Sequence, residues 1–147
     1  MLYVVTGPPA AGKSSWIEAR ARPTDVVIDL DRLTAALSGP GAPSWSQDGT
    51  ALKVAHRARY AAIDEALKHV DTTDVYLIHT MPSAKWLARY RRHGAKVVAV
   101  DPGRDIVMQR IRDMRAPGLQ AVATRWYARQ SGQARARTVT RQASRAW

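Results

Sequence analysis

The run LYVVTGPPAAGKSSWIEA, residues 2–19, leaves few folds open. Leu2–Thr6 is short, apolar and rich in β-branched residues, the composition of a strand buried in a parallel sheet. The next eight residues, GPPAAGKS, fit G-x-x-x-x-G-K-[ST], and the residues from Lys13 onward read as a helix. Strand, glycine-bounded loop and helix in that order form a cradle for the phosphates of a nucleotide. Gly7 and Gly12 let the backbone turn its N–H groups toward an anion, and the start of the helix adds favourable partial charge. Lys13 brings a point charge to the β- and γ-phosphates, and Ser14 offers a hydroxyl to Mg²⁺. The expected nucleotide contacts are Gly7, Ala10, Ala11, Gly12, Lys13, Ser14 and Ser15, with ATP or another nucleoside triphosphate and Mg²⁺ as cofactors.

The rest of the chain repeats the alternation. Strands are expected over Asp25–Leu30, Asp74–Thr80 and Ala95–Asp101. Helices are expected over Lys13–Arg22, Asp31–Gly39, Ala51–Val70, Pro82–Gly94, Pro102–Arg115 and Leu119–Gln130. The stretch 39–50 is rich in Gly, Pro and Ser and reads as a loop. Alternating strands and helices argue for an open parallel α/β sheet with helices on both faces. Residues 1–131 form the expected single domain, and 132–147, poor in large apolar residues, read as a basic tail.

Composition narrows the function. There is no cysteine, so disulfides and thiolate metal sites are excluded. No apolar run nears the roughly 20 residues of a membrane span, and MLYVV follows no basic leader, so a cytoplasmic protein without membrane contact is expected. The net charge is +11. Residues 103–147 hold ten arginines against Asp105 and Asp113, so this third carries +8 of it. Such clustering implies a polyanionic partner, a nucleic acid, because cations gain affinity by releasing its condensed counterions.

A second constellation is DLDR. Asp29 falls at the end of strand two, where ligands of open α/β sheets sit. A carboxylate there can accept the proton of an attacking hydroxyl, and Arg32, one turn on, can grip an acceptor phosphate. One of Asp29 and Asp31 is also expected to cap the following helix, Asp31 being better placed for it. In RIRDMR, Arg112 and Arg115 are three apart on one helix face, with Val107, Ile111 and Met114 forming the apolar side and Arg110 directed elsewhere. Trp45 in the 39–50 loop either stacks on a base or plugs the loop. Trp16 and Trp86 read as core, as does one of Trp126 and Tyr127, with the other free for a nucleobase. His79 reads as a strand-end histidine or as a polar stand-in for an acidic residue.

The phosphate loop, DLDR and the Arg-rich segment after strand four together resemble the polynucleotide 5′-hydroxyl kinases. These belong to a wider group of small P-loop kinases with gluconate kinase, chloramphenicol phosphotransferase and adenylate kinase. The resemblance covers about residues 1–130. It implies a four-stranded core in the order 2-3-1-4, a helical lid and Mg²⁺-ATP as donor. It implies Asp29 as general base and Arg32 as the contact to the acceptor's phosphate; without a carboxylate from the end of strand three, Ser14 and a water-mediated contact from Asp29 are left to serve the metal. It implies that lid arginines, drawn from Arg110, Arg112 and Arg115, reach the transferring phosphate. The block LIHTMP departs from the acidic residue and T-N that many relatives carry after strand three. Three functions stay open: a kinase of nucleic-acid ends, a small-molecule or nucleotide kinase on the same scaffold, and an ATP-binding or ATP-hydrolysing accessory protein on nucleic acid.

Overall fold

The computed structural model describes residues 1–42, 49–114 and 118–145, the last from residue 134 by backbone alone. Trp45 and Arg115 lie outside the described residues. The chain falls into two compact units, one of residues 1–7 and 12–100, the other of 8–11 and 101–147.

The first unit is built on β1 (Leu2–Thr6), β2 (Val26–Ile28), β3 (Val75–Ile78) and β4 (Lys96–Ala99). All four run parallel in the order β2-β3-β1-β4, as expected. β1 is central because its residues can be buried on both faces. Leu2 and Val4 point into a core with Ile28, Val75, Leu77, Ile63, Leu67 and Tyr90. The alternate Val5 joins Ile17 and Tyr76 on the other face, flanked by Tyr3 and Trp16. The first core is closed by α3 (Thr50–Ala66) and α4 (Ala84–Arg92), the second by α1 (Lys13–Glu18). Tyr3 and Tyr76 stack across paired strands with ring centroids 4.9 Å apart. Trp16 and Trp86 pack at the margins of these cores.

β2 is shorter than the expected Asp25–Leu30 because Asp29 turns the chain into α2 (Leu30–Leu37). The capping residue is Asp29 and not Asp31: the Asp29 carboxylate accepts the Asp31 backbone N–H at 3.0 Å. A helix that starts at Leu30 leaves Asp31 inside its first turn, where its charge suits the dipole.

The second unit holds α5 (Arg104–Asp113), packed on α6 (Gly118–Arg145). Val107 and Ile111 are buried, as their spacing predicts, together with Ala123 and Trp126. Met114 is not part of that apolar side; it is 55% exposed at the helix end. α6 does not stop at Gln130. Its backbone stays helical to Arg145, through the stretch that reads as a tail. Ala, Arg and Gln are good helix formers, and Gly132 alone is not enough to break the run. Among the described residues no helix is long and apolar enough to cross a membrane.

Candidate active site

β1 delivers the chain into the phosphate loop at Gly7, where φ is 143° and a Cβ would lie 2.1 Å from the Val100 carbonyl oxygen. Only glycine passes that point without moving the backbone of the segment after β4. Ala10 takes a left-handed φ of 59°, and Gly12, also left-handed, caps α1. These reversals curl the loop, as a backbone cradle for phosphate requires.

Lys13 folds back over the loop, its Nζ donating to the Gly7 carbonyl at 3.0 Å. Burial pulls its pKa down to about 8, against the opposing pull of Asp31 and Asp29. A cation held partly desolvated beside a curled backbone is poised for an anion that restores its solvation. Ser14 and Ser15 open α1 on its exposed side.

Asp29 joins the two sequence constellations. It is only 6% exposed. One carboxylate oxygen caps α2, and the other accepts the Ser14 hydroxyl at 3.3 Å. Burial raises its pKa; the Asp31 N–H, the Ser14 hydroxyl and Arg32 pull the other way. A hydroxyl and a carboxylate brought together are hard oxygen donors, which fits Mg²⁺. Among the described residues no three His, Asp or Glu side chains gather into a metal cage. Mg²⁺ commonly draws its remaining ligands from phosphates and water, so a site with two protein oxygens is compatible with it. Arg32 is exposed and close enough to bias Asp29.

Of the described lid candidates, Arg110 meets the loop: its Nη1 donates to the Ala10 carbonyl at 3.0 Å. Arg112 is exposed and bound to Gln109 at 2.8 Å. Periodicity separates α5's two faces but does not say which arginine points at the loop. Trp126 is the buried member of its pair. Tyr127 gives its hydroxyl to Asp101 at 2.7 Å and lies beneath Arg104.

Two residues at the end of β3 carry more than their sequence positions reveal. His79 pairs through Nδ1 with the Tyr90 hydroxyl at 2.8 Å, and burial holds its pKa down near 4. Arg59, which drew no attention in the sequence, is buried on α3. The signal was available: Arg59 stands four residues after Ala55 and four before Ile63, on the stripe those residues define.

A sequence model of the family described as AAA domain matches residues 2–144. No curated protein matches the chain.

Proposed function

Because the chain belongs to the AAA domain family (AAA_33), a P-loop nucleotide-binding class that includes kinases, we propose that it is an ATP- and Mg²⁺-dependent phosphotransferase whose acceptor is the 5′-hydroxyl end of a polynucleotide. The observation that carries the reading is the 3.3 Å pairing of Ser14 with a buried Asp29 of raised pKa. It joins a metal-ligand position to a carboxylate whose proton affinity has been tuned upward, which suits a general base better than a purely structural cap.

In this mechanism the phosphate loop and Lys13 hold the β- and γ-phosphates. Ser14 and Asp29 would hold Mg²⁺, which offsets the charge that builds on the phosphoryl oxygens. Asp29 takes the proton of the acceptor hydroxyl as that oxygen bonds to the γ-phosphorus. The bond from phosphorus to the β,γ-bridging oxygen breaks, and ADP leaves with its electron pair. Arg110, whose guanidinium meets the Ala10 carbonyl, is a candidate for the cation that reaches the transferring group, with Arg112 and Arg115 as further candidates. Arg32 grips the acceptor. The polynucleotide is supported by the +8 carried on residues 103–147.

The AAA description also supports ATP hydrolysis as a second reading. Measuring ADP release with and without oligonucleotides, nucleosides and nucleotides separates the two. Transfer predicts turnover that rises with a hydroxyl acceptor; equal turnover without any acceptor rejects it.

A further inference from the structure

α3 turns the stripe Ala55, Arg59, Ile63 and Ala66 toward the sheet, and all four are buried. A guanidinium on such a stripe is expensive unless an anion or several acceptors meet it. Arg59 is 7% exposed and meets the Ile78 carbonyl, to which Nη2 donates at 3.0 Å. A guanidinium has five N–H groups; one goes to that carbonyl, and among the described residues no side-chain nitrogen is both buried and unpartnered, so the rest of the fork is reached by solvent and is open to an anion. Elsewhere in this unit the half-buried Arg89 has found a carboxylate, that of Asp64. No carboxylate of the described residues lies within ion-pair distance of Arg59. The titratable groups that sense its charge are His79 and Tyr90, bonded to each other and both neutral at ordinary pH.

The place of this cation matters as much as its lack of a counterion. Ile78 is the last residue of β3, and β3 lies in the sheet between β2, which is followed by Asp29, and β1, which runs into the phosphate loop. Ligands of open parallel sheets bind outside the carboxyl ends of the strands. Beside it stands an aromatic column: Tyr60, 42% exposed, stacks on Trp86 at 5.8 Å, and Trp86 meets His79 and Tyr90.

We propose that Arg59 is an anion-binding residue of the acceptor site, and that it takes a phosphate group of the acceptor in addition to the one assigned to Arg32. The acceptor is then a phosphorylated molecule, such as a nucleoside 3′-phosphate or the first internal phosphate of a strand, and not a neutral alcohol. The inference rests on the kinase reading for the word acceptor; the anion site itself does not.

Two arms test it. In a Lys13→Ala background, which weakens the phosphate loop as a competing site, adenosine 3′-monophosphate and inorganic phosphate should raise the melting temperature of the protein that keeps Arg59. Arg59→Met should abolish that shift, and Arg59→Lys should keep part of it. Without ligand, Arg59→Met should melt at the same temperature or higher, because it removes a buried charge whose counterion comes from outside. In the second arm, with Lys13 intact, Arg59→Met should lower the preference for a nucleoside 3′-monophosphate over the matching nucleoside, in kcat/KM, by about ten- to a hundredfold, as loss of a charge-assisted hydrogen bond implies. The KM for ATP should not follow. The proposal is overturned if Arg59→Met unfolds or melts well below the parent, or if the thermal response to both anions is the same with and without Arg59. If the unaltered protein transfers phosphate to no acceptor, the kinase reading fails, and the thermal arm still decides Arg59.

Discussion

Asp29 caps α2, and the proposed mechanism gives the same side chain a part in the chemistry. Its Oδ1 holds the start of α2, and its Oδ2 faces Ser14. Burial makes the ionised form costly. The sign follows from linkage: a carboxyl whose folded pKa lies above its unfolded value loses stability as pH rises through that interval. Asparagine caps a helix as well as aspartate does and cannot ionise. Asp29→Asn should therefore fold, melt no lower than the parent at neutral pH, bind ATP, and lose about 10²- to 10⁴-fold in transfer. Paired melting curves and turnover assays check it. A variant that melts well below the parent, or that keeps its turnover, contradicts the double role.

The end of β3, with α3 and α4, makes a prediction that belongs to three elements together. His79 lies between the Tyr90 hydroxyl on α4 and the Arg59 guanidinium on α3, and its pKa sits near 4. The unfolded chain takes up that proton near pH 6.5, the folded one only near pH 4. Stability from the neutral imidazole is thus present above 6.5 and lost as pH falls through 6.5 toward 4. Melting temperatures of the parent should drop across that window, and those of His79→Gln should drop less; parallel curves would contradict it. The same elements show what a linear sequence conveys. β1, the loop and α1 are legible because Gly7, Gly12, Lys13 and Ser14 act locally, through φ angles and charge. The strand order comes with the resemblance that those motifs support. Asp29 as cap was misread because the helix starts one residue earlier than its apolar pattern suggests. Arg59 was passed over because a cation among apolar neighbours is ordinarily solvent-facing; its place on the Ala55–Ile63 stripe was the available signal, and the packing of α3 confirms it. The continuation of α6 was hidden for the opposite reason: Ala, Arg and Gln promote helix without advertising a partner face.

For the molecule as a whole, two facts have to be reconciled: a phosphate loop in a P-loop family, and a basic charge far beyond what one triphosphate needs. The match over residues 2–144 accounts for the first. The second has a direction along the chain, because residues 103–147 carry +8, and Arg137, Arg141 and Arg145 recur every four residues in the helical backbone of α6. Each phosphate of a strand neutralised by such a charge should add about −0.7 to the slope of log affinity against log salt. The measurement that bears most directly on this account is transfer of label from γ-labelled ATP to an oligonucleotide ending in a 5′-hydroxyl. The account predicts label at the 5′ terminus, none on the same strand already bearing a 5′-phosphate, transfer abolished by Lys13→Ala, and an apparent KM that rises with salt. Label that appears on nucleosides or sugars as readily as on the strand, indifferent to salt, or ATP turnover with no label on any acceptor, contradicts it.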